Sequence, residues 1–122
     1  MKISVFFRGK KILIDVHETG FISRGLGLTF RTRETSNLLF DFKKCVTWQG
    51  TLTSWFVFFP FLTLWLDSRN KVIDFAVVKP FVFSISQNKL FSKIVEIPFN
   101  LSNMPVIEKF IGKKEFLKYR QF

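Results

Sequence analysis

Apolar residues in this chain come in short runs, and the longest of them, Trp55 to Leu66, is split at its centre by Pro60. A helix that crosses a bilayer needs about 20 consecutive apolar residues, and a proline inside a helix removes a donor and clashes with the preceding turn. The run therefore reads as two buried strands, and no transmembrane segment is expected. The other runs are just as short: Ile3 to Phe7, Lys11 to Val16, Asn37 to Phe42, Lys71 to Val78, Phe81 to Ile85 and Lys93 to Pro98. They are rich in Val, Ile and Phe and bounded by turn residues, which is the pattern of strands.

Ile3 to Phe7, then Arg8-Gly9-Lys10, then Lys11 to Val16 is a hairpin signal. From His17 to Phe30 the apolar residues scatter among Gly20, Gly25 and Gly27, which favours a short helix or turn followed by a loop. Leu52 to Phe59 and Phe61 to Asp67 are strands on either side of Pro60, and Asp67-Ser68-Arg69-Asn70 supplies a turn before Lys71 to Val78. After the strand ending at Pro98, Ser102 or Asn103 is placed to cap a helix from Met104 or Pro105 to Ile111. Pro105 suits its first turn and Gly112 its stop. Val106, Ile107, Phe110 and Ile111 give this helix one apolar face. Lys114 to Arg120 reads as a last strand. About eight strands with one or two short helices make a mainly β chain, and predict a small closed or partly open β-barrel. With 122 residues and no linker or repeat, residues 1 to 122 form a single β domain.

There are 19 Lys and Arg against 9 Asp and Glu, a formal net charge of +10. Nine basic and four acidic groups fall in residues 1 to 44, two of each in 45 to 78, and eight and three in 79 to 122. A neutral aromatic middle with basic ends is also what a sheet core with solvated flanks looks like. One cysteine, Cys45, allows no internal disulfide and no thiolate zinc cage. A reducing compartment suits it, the opening run is too broken by Arg8, Lys10 and Lys11 to be an export signal, and a cytoplasmic location is expected.

Arg24-Gly25-Leu26, Asn37 to Phe42, Trp55 to Pro60 leading to Trp65-Leu66-Asp67, Val72-Ile73, Val78-Lys79-Pro80 and Ile94 to Pro98 resemble, in this order and spacing, the family called domain of unknown function 192 (uncharacterised protein family 0127). The resemblance covers roughly residues 17 to 112. It implies a compact β-barrel-like domain with a short helix near Arg24-Gly25-Leu26, and it implies no established activity. Two positions depart from the family pattern. Leu62 stands where the family places an aspartate, and the apolar Trp55-Phe56 replaces a polar pair, so any polar pocket of those relatives is reduced here.

An enzyme needs a nucleophile with a base, paired carboxylates or metal ligands. The single His17 has no companions at a metal-ligand spacing, and Cys45 beside an apolar strand reads as a buried thiol. No catalytic residue, metal ligand or cofactor is assigned. Asp41 and Glu96 interrupt apolar strands, where a carboxylate must be paired, hydrogen-bonded or at the rim, and Arg24 is the expected structural partner of Glu96. Gly25-Leu26-Gly27 lacks the third glycine and strand-to-helix setting of a dinucleotide fingerprint. Arg24, Glu96, Asp41 and Trp55 are the candidate binding residues.

Strong basicity is the electrostatic footprint of a nucleic-acid binder, and exposed aromatics on a sheet can stack on bases. For most of the 18 phenylalanines the plainer role is core filling. Lys10, Lys11, Lys43, Lys44, Lys113 and Lys114 are the candidates for nucleic-acid contact, and equally suit solubility and the protection of sheet edges. The chain is expected to be a non-catalytic binding domain. Nucleic-acid or polyanion binding through its basic terminal segments is the alternative, a protein partner is the other partner class, and the chain is expected as a monomer or homodimer.

Overall fold

In the computed structural model, residues 1–18, 36–46, 59–80 and 89–119 are described, the side chains of 43–46 excepted. Among the described residues, seven strands and two helices follow in chain order: β1 (Lys2–Phe7), β2 (Lys10–Asp15), β3 (His17–Glu18), β4 (Leu38–Val46), β5 (Phe61–Leu66), β6 (Val72–Val78), β7 (Phe91–Pro98), α1 (Met104–Ile111) and α2 (Lys113–Leu117).

β1 and β2 form the expected hairpin, with Phe7 opposite Lys10 and Lys2 opposite Asp15. Its two-residue turn, Arg8-Gly9, has positive φ at both positions, 50° and 77°. That combination matches the right-handed twist of the flanking strands. Glycine adopts it freely, whereas Arg8 takes up a left-handed conformation that costs an L-residue about 1–2 kcal/mol. The hairpin is one-sided: Ile12 and Ile14 are buried while Lys11, Leu13 and Asp15 are exposed, the alternation of a strand with one face in water.

The second sheet has the order β3-β4-β7-β5-β6. β5 is buried at every position, because both faces of the sheet are covered. Leu39, Leu62, Leu64, Leu66, Val95 and Ile97 belong to one core cluster, together with the inner residues of the hairpin, Ile107, Phe110 and Phe116. Leu38, Phe40, Phe61, Trp65 and Ile94 belong to a second. Leu62 is fully buried in the first cluster.

No sheet closes into a barrel among the described residues. The hairpin nevertheless touches both ends of the larger sheet. The Phe6 N–H donates to the Asn70 carbonyl at 2.9 Å, and Phe6 and Lys71 form an isolated parallel bridge beside β6. At the other end β2 passes through the buried Val16 into β3, which pairs in parallel with β4.

The predicted helix over Met104 to Ile111 is α1, with Pro105 in its first turn and Gly112 at its end, φ 84° and ψ 159°. Asn103 occupies the N-cap position, but its side chain makes no capping hydrogen bond. The predicted last strand over Lys114 to Arg120 is instead α2 and, up to Tyr119, the turn after it, while Arg120 lies outside the described residues. Phe116 stacks on Phe99 at 5.4 Å between centroids, and Tyr119 meets the same ring edge-on at 5.2 Å. Residues three apart share a face on a helical turn and take opposite faces on a strand, so only the helical form brings both rings to Phe99. The expected short helix or turn within His17 to Phe30 beyond Glu18, the expected strand Leu52 to Phe59 up to Phe58, and the expected strand Phe81 to Ile85 lie outside the described residues.

Candidate anion-binding cleft

Of the residues singled out in the sequence, Arg24 and Trp55 lie outside the described residues, and so do the side chains of Lys43 and Lys44. Glu96 is buried on β7, opposite Leu38 of β4 and Thr63 of β5. Asp41 is half-buried and stands opposite Lys93. Since Asp41 and Leu38 are an odd number of residues apart on one strand, Asp41 and Glu96 project from opposite faces of the sheet and do not converge. His17 is exposed on the edge strand β3. Among the described residues, no three His, Cys, Asp or Glu side chains gather as metal ligands. No helix among them is long and apolar enough to cross a membrane.

Among the described residues, two depressions are candidates for binding. The larger, of about 540 Å³, is lined by Met1, Asp15, Val16, His17, Ser36, Asn37, Ser102 and Asn103. Its buried amides are already committed. Asn37 Nδ2 donates to the Asp15 carbonyl at 2.8 Å and to Asn103 Oδ1 at 3.2 Å. Asn103 Nδ2 donates to Asn37 Oδ1 at 2.9 Å and to the Pro98 carbonyl at 2.8 Å. An amide nitrogen carries two protons, so neither Asn has a donor left for a ligand. This polar cluster pins α1 to the hairpin and to the start of β4.

The smaller cleft, of about 300 Å³, is lined by Phe7, Arg8, Lys10, Lys11, Ile12 and Lys109. Four of those six side chains are cationic and none is acidic. The hairpin turn places three of them: Arg8 within it, then Lys10 and Lys11 at the start of β2. Lys109 comes from the last turn of α1. The floor is aromatic. Phe7 meets Phe110 of α1 at 4.7 Å between centroids and Phe75 of β6 edge-on at 5.4 Å, and the Arg8 guanidinium lies 4.9 Å from the Phe7 centroid. These contacts hold the hairpin tip against α1, which keeps the four cations together although their like charges repel. A concave, partly apolar surface with clustered Lys and Arg is suited to attract and retain anionic groups.

Lys10 and Lys11 both line this cleft. Lys113 and Lys114, exposed at the start of α2, are not among the cleft-lining residues. Arg8 and Lys109 were not singled out in the sequence. The Arg8-Gly9 turn was a readable signal for the first. For Lys109 the helix was readable, but its docking beside the hairpin was not.

No family model and no curated protein matches the chain. Two solved structures share its fold. One is a protein of unknown function from Novosphingobium aromaticivorans DSM 12444, with a TM-score of 0.67 and 14% identity over 80% of this chain and 71% of that one. The other is a "putative transcription regulator" from Sinorhizobium meliloti 1021, with a TM-score of 0.65 and 17% identity over 78% of this chain and 76% of that one. At these identities the likeness establishes the fold, and the chain has the architecture of those two proteins across most of its length.

Proposed function

We propose that this chain is a non-catalytic binding domain that takes a phosphate-rich polyanion, nucleic acid foremost, in the cleft between the hairpin and α1. The observation that carries the reading is the convergence of Arg8, Lys10, Lys11 and Lys109 on one cleft with no carboxylate in its lining. The net charge of +10 supplies a long-range field of the same sign. The description of the Sinorhizobium meliloti structure as a "putative transcription regulator" is consistent with such a ligand.

Membership of the domain of unknown function 192 family belongs to the same proposal. It is supported by the resembling segments Asn37 to Phe42, Trp65-Leu66, Val72-Ile73 and Ile94 to Pro98, which fall on or against β4, β5, β6 and β7 of one sheet. The hairpin's contacts with both ends of that sheet support a partly open barrel, and a cytoplasmic setting fits a single cysteine.

Binding to short labelled RNA and DNA across a salt series tests the reading. Phosphate contacts release counterions, so log affinity falls linearly with log salt. Four engaged cations predict a slope of about −3, from roughly −0.7 per contact on a single strand. A flat salt response, or no binding at low salt, contradicts the proposal.

A further inference from the structure

On the outer face of the hairpin, Phe6 of β1 is 43% exposed. It stands directly opposite Lys11 in the hairpin register. Its N–H donates away from β2, to the Asn70 carbonyl, so Phe6 and Lys11 form a non-hydrogen-bonded pair, the arrangement that brings cross-strand side chains closest, with Cβ atoms about 4.5–5.5 Å apart. Phe7, by contrast, is turned inward on the ring cluster with Phe75 and Phe110. Successive residues of β1 therefore divide the labour: Phe7 floors the cationic cleft, and Phe6 presents a ring to solvent next to one of its cations. The bridge from Phe6 to Lys71 ties the strand to β6 at this residue, so the ring sits on a fixed backbone. Leu13, 58% exposed, lies diagonally across β2 on the same outer face and extends the apolar surface.

We infer that the ligand is single-stranded nucleic acid, its phosphates held by Arg8, Lys10, Lys11 and Lys109 and one base stacked on Phe6. The inference rests on the polyanion reading and narrows it. A duplex keeps its bases stacked on one another and offers an exposed side-chain ring no base face. A single strand offers a base beside every phosphate, and aromatic platforms flanked by basic residues bind it with little regard to sequence. A charged sugar polymer has no such face either, so Phe6 is the residue that distinguishes nucleic acid from other polyanions of equal charge.

The test compares three probes of equal length by fluorescence anisotropy: oligothymidylate, an abasic deoxyribose-phosphate chain, and a duplex. RNA and DNA forms of the single strand give the preference between the two sugars. The expected result is a preference of roughly tenfold for oligothymidylate over the abasic chain, the scale of one stacked base. Phe6→Ala and Phe6→Leu both abolish that preference and leave abasic binding unchanged, and Phe6→Tyr retains it. Phe6→Leu keeps apolar bulk without a π face, so a general loss of folding is separated from a loss of stacking. Equal binding of the abasic chain and oligothymidylate overturns the inference while leaving the polyanion reading intact. So does a Phe6→Leu effect of equal size on both probes. Failure of all three probes to bind at low salt overturns both.

Discussion

Asn37 and Asn103, 66 residues apart in sequence, exchange hydrogen bonds through their side-chain amides inside the protein. Asn37 stands at the entry to β4 and Asn103 at the N-terminal end of α1, and their remaining donors reach the carbonyls of Asp15 and Pro98. Four segments that the chain order separates are held by one polar cluster. Asn100 completes it by accepting from the Asn103 N–H at 2.9 Å and the Ser102 hydroxyl at 2.8 Å.

Because the cluster is buried, deleting one member strands the others. Asn103→Ala leaves the Asn37 amide and the Pro98 carbonyl without their partner, and is expected to cost about 3 kcal/mol, the scale of an unsatisfied buried polar group. Ser102→Ala, at an exposed position, should cost under about 0.5 kcal/mol. Urea denaturation of the two variants checks the contrast.

Two glycines with positive φ differ in what they require. A Cβ at Gly9 or at Gly112 meets nothing within 4 Å, so neither substitution is opposed by packing. Gly112, at φ 84° and ψ 159°, occupies a region essentially confined to glycine. Gly112→Ala is expected to destabilise by about 2–3 kcal/mol. Gly9, at φ 77° in the hairpin turn, should accept Asn at a cost below about 1 kcal/mol, because Asn tolerates left-handed turn positions. Thermal unfolding of Gly112→Ala and Gly9→Asn side by side measures both.

The helical form of α2 makes its own prediction. Phe116 is 1% exposed against Phe99, whereas Leu117, next to it, is 43% exposed. Phe116→Ala should cost about 3–5 kcal/mol, as for a large aromatic removed from a core. Leu117→Ala should stay within about 0.5 kcal/mol. Equal effects of the two substitutions on the denaturation midpoint would contradict this packing.

Much of the fold was legible because single segments carried their own signals. Arg8-Gly9 between two β-rich runs fixed the hairpin, and Pro105 with Gly112 bracketed α1 to within a residue. Lys114 to Arg120 misled because its apolar positions, Phe116, Leu117 and Tyr119, fit neither period cleanly over so short a stretch. The decision came from Phe99, a residue distant in sequence. The candidate site was legible only in part for the same reason. Lys10 and Lys11 are neighbours on a strand, but Lys109 joins them through the contact of Phe7 with Phe110, which no local pattern encodes. Asp41 and Glu96 both interrupt apolar strands and were both candidate binding residues, but which face each takes is set by the strand register, which puts them on opposite faces.

The most direct measurement compares Lys109→Glu with Lys113→Glu in binding a single-stranded oligonucleotide at one fixed, moderate salt concentration. Each substitution lowers the net charge of +10 by two, so a purely global electrostatic attraction responds equally to both. Lys109 lines the cleft, whereas Lys113 is exposed at the start of α2 and is not among the cleft-lining residues. A binding site in the cleft predicts a loss of roughly tenfold or more for Lys109→Glu and a several-fold smaller one for Lys113→Glu. Equal losses would contradict a localised site and return the charge to the role of a solvated surface.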